Sequence, residues 1–264
     1  MKSRRTSIRA ADMPRERAAK AAPSGARTSV NDPVSDLPLP SSLKRARRPS
    51  RERGRTRFQA LLEATESLLK EGSPDDIGLY QIAERADIAP ASVYHFFPTK
   101  NAALLALAEK YHADFRIMVN EPIAASRLIS WQDLLVVRHE RAVEYYNSHL
   151  PAAKIFLGIH PSWEIHQADK NYNRGASQAL FEHFDRVFVM PYVKDPSSKF
   201  EIMYSIADSI WAISFERHMT ITPKYAEEAT TACIAYCRTF LPERVARRPE
   251  LPDEVVRDAH VAGN

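Results

Sequence analysis

The chain has 264 residues, of which 44% are hydrophobic and 27% charged. This excludes collagen-like and wholly disordered classes, and the length suffices to bury one large core or two modest ones without disulfides. Only 7 glycines occur, too few for a Gly-rich phosphate loop or a run of tight hairpins, so an all-α protein is expected. The net charge of +4 is unevenly spread, with 16 Lys/Arg against 5 Asp/Glu in residues 1–57 and 21 against 28 in the remainder. A basic segment feeding an acidic body suits a chain whose one end meets a polyanion; the plainer reading of residues 1–43 is a solvated tail.

Residues 1–50 hold six prolines and no periodic apolar pattern, and are expected to be a disordered basic tail. From Phe58, the residues Leu61, Leu62, Thr65, Leu68 and Leu69 fall on one face of a helix that Gly72 ends. Leu79, Ile82, Ala83 and Ala86 mark a second helix of about two turns with Gly78 as N-cap. Asp87 suits the left-handed turn that follows, and Pro90 the first position of a very short third helix with Val93, Phe96 and Phe97 inward. Pro98 closes it, and Thr99 caps a longer helix bearing Leu104, Leu107, Ala108, Tyr111 and Phe115. Further helices are predicted at about 131–148, 151–159, 165–189, 197–219 and 223–241, with no strand pair. Residues 243–264 are expected to be a frayed tail. Cys233 and Cys237, four apart on one helix, are expected to be small buried side chains of a reduced cytoplasmic protein.

Two short helices joined by a tight turn have the pattern of a helix-turn-helix, whose second helix enters the major groove of DNA. With Val93, Phe96 and Phe97 facing the core, Ala91, Ser92, Tyr94 and His95 face outward. The segment from Arg57 to Tyr111, with QIAERADIAPASVYHFFPTK at its centre, resembles the N-terminal domain of the TetR family of bacterial transcriptional repressors. Ile82-Ala83, the string Val93-Tyr94-His95-Phe96-Phe97 and Pro98-Thr99-Lys100 carry the resemblance over about 55 residues. Asp87, Ile88 and Ala89 replace the usual Gly, Val and Ser at the turn, Gly78 replaces a capping Thr, and Ala91 a Gly.

The resemblance implies an all-α homodimer with a three-helix DNA-binding domain, placed at 51–119, and a helical ligand-binding and dimerisation domain, placed at 120–242. It implies partners in a double-stranded DNA operator, a second copy and a small-molecule effector, with repression as the family habit. Carried over by position, Ser92 and His95 are base-edge candidates; Tyr94 and Lys100 are phosphate candidates, with Ala91, Tyr80 and Thr99 as further DNA-binding candidates. Arg53, Arg55 and Arg57 lie nearest the first helix among eight basic residues from Lys44 onward that could line phosphates or enter a minor groove.

In the body, the helix from Phe200 to His218 carries two apolar stripes, one of Phe200, Met203, Tyr204, Ala207, Trp211 and Phe215, the other of Ile202, Ile206, Ile210 and Ile213. Burial on both sides suggests a four-helix dimer interface of Ile202, Ile206, Ile210 and Ile213 with Ala229, Ala232, Cys233 and Tyr236 of the next helix. Candidate ligand contacts are Tyr145, Phe156, His160, Trp163, Tyr204 and Trp211, with Arg138 and Arg141 on one helical side to receive an anion unless they simply snorkel to solvent. Only one Glu-x-x-His pair occurs, Glu109 with His112, and no zincin, nucleophile or dinucleotide motif. No catalysis, cofactor or metal is therefore expected. No uncharged stretch exceeds the 12 residues from Ile88 to Thr99, short of the roughly 20 that a membrane helix requires, so no membrane partner is expected. The alternatives are a helical protein-interaction module that kept the fold without specific DNA binding and, less favoured, a helical enzyme.

Overall fold

The computed structural model describes residues 45–158, 163–249 and 254–255. Among these residues there are nine α-helices: α1 (Glu52–Glu71), α2 (Leu79–Arg85), α3 (Pro90–Phe96), α4 (Lys100–Val119), α5 (Trp131–Ser148), α6 (Leu150–Phe156), α7 (Trp163–Val187), α8 (Pro196–His218) and α9 (Pro223–Cys237). Helix α1 begins six residues before Phe58. Its first turn, Glu52 to Arg55, holds no apolar side chain, so no apolar period marks it in the sequence. Gly72 ends α1, its N–H donating to the Leu68 carbonyl at 2.9 Å. At Gly78 the N-cap position lacks a side-chain acceptor, and Gln81 Oε1 accepts the Gly78 N–H instead. Asp87 takes the left-handed conformation (φ 52°) between α2 and α3, and Thr99 Oγ1 accepts from the Ala102 N–H at 3.1 Å to start α4.

Two apolar cores result. The first joins α1–α4 around Leu61, Leu69, Ile82, Val93, Phe97 and Leu107, and extends to Ala152 and Ile155 of α6 and Ile165 of α7. The second lies in α5 and α7–α9, around Trp131, Leu134, Phe184, Phe200, Met203 and Cys233. Phe115 and Tyr146 border both, so the helix-turn-helix is welded to the body through apolar contact rather than hung from a linker.

Three expectations are corrected. A strand pair exists: β1 (Ile123–Ala124) runs antiparallel to β2 (Glu254–Val255). Residues 242–249 are held as a strap, with Val189 N–H donating to the Ala246 carbonyl (2.8 Å), Arg248 N–H to the Val187 carbonyl (2.9 Å) and Trp131 Nε1 to the Pro242 carbonyl (2.9 Å), while 250–253 and 256–264 lie outside the described residues. Main-chain pairing leaves no periodic signature, which is why the sequence looks frayed there. Residues 45–50, placed in the basic tail, fold back on the helix-turn-helix: Arg47 N–H donates to the Phe96 carbonyl (2.8 Å) and Arg48 pairs with Glu109 (2.6 Å). Gly54 permits this approach, because a Cβ there would stand 2.7 Å from Pro49 Cβ. The remainder of the tail, residues 1–44, lies outside the described residues. Helix ends shift modestly, α6 running 150–156 and α9 ending at 237.

Candidate nucleic-acid interface and ligand cavity

Pro90 opens α3 at a position where its missing N–H costs nothing, and the buried Val93, Phe96 and Phe97 fix its roll. Phe58 of α1 holds both aromatic rings, at 5.9 Å from Phe96 and 5.2 Å from Phe97. The opposite face is thereby forced outward: Ala91, Tyr94 and His95 are exposed and Ser92 is half-buried. Tyr80 of α2 is exposed beside Tyr94, the rings meeting edge to face at 6.1 Å, so two phenols form one patch across the turn. Exposed aromatic rings on a rigid short helix are costly to hold in water without a partner.

The flanking candidates differ in their engagement. Thr99 spends its hydroxyl on the α4 cap. Lys100 Nζ donates to the Asp75 carbonyl at 3.2 Å and lies 3.8 Å from that residue's carboxylate. Arg55 is tied to Glu52 and to the Ser50 carbonyl (2.9 Å), whereas Arg53 and Arg57 are exposed. Arg45 and Arg47 belong to the same run of eight basic residues from Lys44 onward. The backbone bond of Arg47 to Phe96 fixes that arm beside the end of α3.

Between the two cores lies a cavity of about 50 Å³, lined by Phe115 and His112 of α4, Arg138, His139, Tyr145 and Tyr146 of α5, Phe156 of α6, Asp169, Tyr172 and Asn173 of α7, and Tyr204, Asp208 and Trp211 of α8. It meets an outer groove of about 450 Å³ between α4, α5 and α7, the two sharing Val119, Arg138, Tyr172 and Ala176. His112 is stacked between Tyr172 (4.0 Å) and Phe156 (4.5 Å), and its Nε2 meets Asp169 Oδ1 at 3.1 Å. Thr230 Oγ1 donates to the Ala226 carbonyl and so accepts from His139 Nδ1 at 2.9 Å, which leaves His139 Nε2 a buried acceptor without a partner. Burial and the neighbouring Arg138 push His139 down to about 4 and, with Arg186 and Arg141 added, His183 down to about 3. Burial, then the nearby Asp169, raises Asp208 to about 7, although Asn173 Nδ2 donates to it at 3.2 Å. Trp211 Nε1 is buried in the cavity wall with no acceptor.

Of the ligand candidates, the structure brings together Arg138, Tyr145, Phe156, Tyr204 and Trp211. Arg138 does not snorkel: it is 8% exposed. Arg141 is corrected, since its guanidinium donates to the carbonyls of Val119 (3.3 Å), Glu121 (2.6 Å) and Pro122 (2.9 Å) and closes the end of α4. Trp163 is corrected too, being 58% exposed and absent from the lining. His160 lies outside the described residues. The sequence reading passed over Asp208, a lone acid inside the apolar stripes of α8, and His139, which follows Arg138; an acid on a helix buried on both sides was the available signal.

On α8, Ile202 and Ile213 are exposed, and half-buried Ile206 and Ile210 line an open groove with Ser198, Ser205 and Ser209. Ala229 and Cys233 are corrected as interface residues. Both are fully buried, with Cys233 Sγ donating to the Met203 carbonyl at 3.4 Å, because a helical stripe reveals a buried face but not what covers it. Ala232 and Tyr236 are half-buried. Among the described residues no helix is long and apolar enough to cross a membrane.

The fold defines a class: helical proteins that present a helix-turn-helix on a larger helical body. Residues 61–107 match the model of the family described as bacterial regulatory proteins, tetR family. Over 70 residues the chain is 37% identical to the HTH-type transcriptional regulator EthR of Mycobacterium tuberculosis, a match covering 26% of this chain and 32% of that protein. Among solved structures it is similar to a tetR-family transcriptional regulator from Streptomyces coelicolor (TM-score 0.53, 21% identity, covering 69% of this chain and 79% of that one). It is also similar to SmeT, the repressor of the Stenotrophomonas maltophilia multidrug efflux pump SmeDEF (TM-score 0.51, 17% identity, 70% and 91% coverage). At these identities the likeness concerns the fold.

Proposed function

We propose that this protein is a cytoplasmic, sequence-specific DNA-binding transcriptional repressor, acting as a homodimer on a near-palindromic operator and released by a small molecule bound in its body. The observation that carries the reading is the outward face of α3, where Ala91, Ser92, Tyr94 and His95 stand on a helix whose roll is locked by Phe58, Phe96 and Phe97. Residues 51–119 would form the reading head, and 120–242 the effector and dimerisation domain. Arg53, Arg57 and the arm at 45–50 would supply sequence-independent phosphate attraction, with Tyr80, Tyr94 and Lys100 positioning the head.

The cavity and the head share an element. Phe156 of α6 lines the cavity, while two residues earlier Lys154 Nζ donates to the Leu69 carbonyl (2.7 Å) and the Gly72 carbonyl (2.7 Å) at the end of α1. A ligand that displaces Phe156 would therefore move the anchor of the head, and a coupling of about 1–3 kcal/mol would suffice to release DNA. The test is anisotropy of the purified protein on duplex DNA from its own gene's upstream region against a scrambled duplex, with the Tyr94→Ala/His95→Ala double variant as control. Preferential binding lost in that variant supports the reading. Equal binding of both duplexes, insensitive to the substitutions, would overturn specific readout.

A further inference from the structure

We infer that the cavity takes a small organic carboxylate, with Arg138 as the residue that receives the carboxylate. This rests on the effector-pocket reading above and gives it a chemical class. Arg138 is 8% exposed, and its Nη1 donates to neutral partners, Asn120 Oδ1 at 3.1 Å and His183 Nδ1 at 3.4 Å. Among the described residues no carboxylate pairs with it. A guanidinium withdrawn from water without a counter-ion is an arrangement that a bound anion completes, and its planar fork matches a carboxylate.

Position supports charge. Arg138 stands where the inner cavity of about 50 Å³ meets the outer groove of about 450 Å³, so a ligand entering along the groove passes it. Arg116 also lines the groove, and the acid there, Glu182, accepts from Gln178 Nε2 at 3.0 Å. The inner walls are aromatic, suited to a ring or short apolar body. The unpartnered Trp211 Nε1–H is a second donor for a ligand oxygen, supplied by a residue that is 3% exposed. Asp208 also lines the cavity, a half-buried acid whose hydrogen-bond donor is Asn173. It makes an organic cation the competing occupant.

The test is titration calorimetry of the full-length protein with three ligands that share one ring: phenylacetate, phenylacetamide and phenethylamine. DNA is absent, so loss of operator binding and failure of this assignment are read separately. Phenylacetate is expected to bind at least about tenfold more tightly than the amide or the amine, since only it forms the charge-assisted fork. Arg138→Gln is expected to abolish that preference, and Asp208→Asn to leave it. Should Arg138→Gln not fold, the ranking of the three ligands on the wild-type protein decides. An amine that binds more tightly than the acid, an amide equal to it, or no carboxylate heat up to about 10 mM ligand would each overturn the assignment.

Discussion

Lys154 Nζ, on α6, donates to the carbonyl of Leu69, the last buried residue of α1, at 2.7 Å, and at the same distance to that of Gly72. The ammonium thus satisfies carbonyls that a helix end leaves unpaired, and complements the negative end of the helix dipole. Lys154→Met removes both bonds while keeping the stem. The expected cost is about 1–2 kcal/mol in urea unfolding, with a larger proportional loss in ligand-dependent DNA release than in DNA affinity itself. A variant that releases DNA like the wild type would sever the proposed link between cavity and head.

Base contacts and phosphate contacts should separate by salt. Tyr94→Ala and His95→Ala, at exposed positions outside the core, are expected to cost at least about tenfold in operator affinity with little change in unfolding midpoint. Arg53→Ala and Arg57→Ala should weaken all duplexes alike and flatten the salt dependence by about one unit of slope per lost phosphate contact. Anisotropy at several salt concentrations distinguishes the two patterns.

Gly54→Val probes the arm. Its Cβ would meet Pro49 Cβ at 2.7 Å, so residues 45–50 must lift from α1 and loosen the contact of Arg47 with Phe96, while α1 itself tolerates valine at a helical position. Weaker nonspecific DNA binding with an unchanged helical circular dichroism signal is the expected outcome.

Stability should fall on acidification. His139 is held neutral, down to about 4 from 6.5, and His183 down to about 3, so the unfolded chain takes up protons first. The stability these groups contribute is full above about 6.5 and is lost as pH falls toward 4 and below. Asp208 acts oppositely: raised to about 7 from 3.8, its contribution is full below 3.8 and lost as pH rises through 7. Two histidines against one acid leave a net loss between pH 6 and 4, on the order of 1–3 kcal/mol. Asp208→Asn should steepen that loss, because it removes the compensating group; urea melts at several pH values measure both slopes.

Ile206→Glu places a charge in the open α8 groove, where Ile206 and Ile210 are half-buried. Sedimentation velocity should show the variant shifted from dimer to monomer, and operator affinity should drop with it, since two reading heads bind as a unit. A dimer that persists would place the interface on another face.

Much of the helix-turn-helix was legible in the chain because its signals are local. Gly72 as a helix end, Asp87 with φ of 52°, Pro90 at the first turn and Thr99 as a cap each act through the backbone of their own few residues, and Val93, Phe96 and Phe97 follow helical spacing. The arginines and the interface stripe were legible only as types. Periodicity marked Arg138 and Arg141 as one helical side, yet tertiary packing sent one to an aromatic cavity and the other to three carbonyls at the end of α4. It likewise marked Cys233 and Ala229 as apolar, and the packing of α8 on α9 used them within the protomer. The strap at 242–249, joined through main-chain bonds to residues about sixty positions earlier, has no sequence period. What depends on neighbours within a helical turn is written in the order of the residues, whereas the partner of a buried group is chosen by which helices meet, and that is settled only when the whole chain packs.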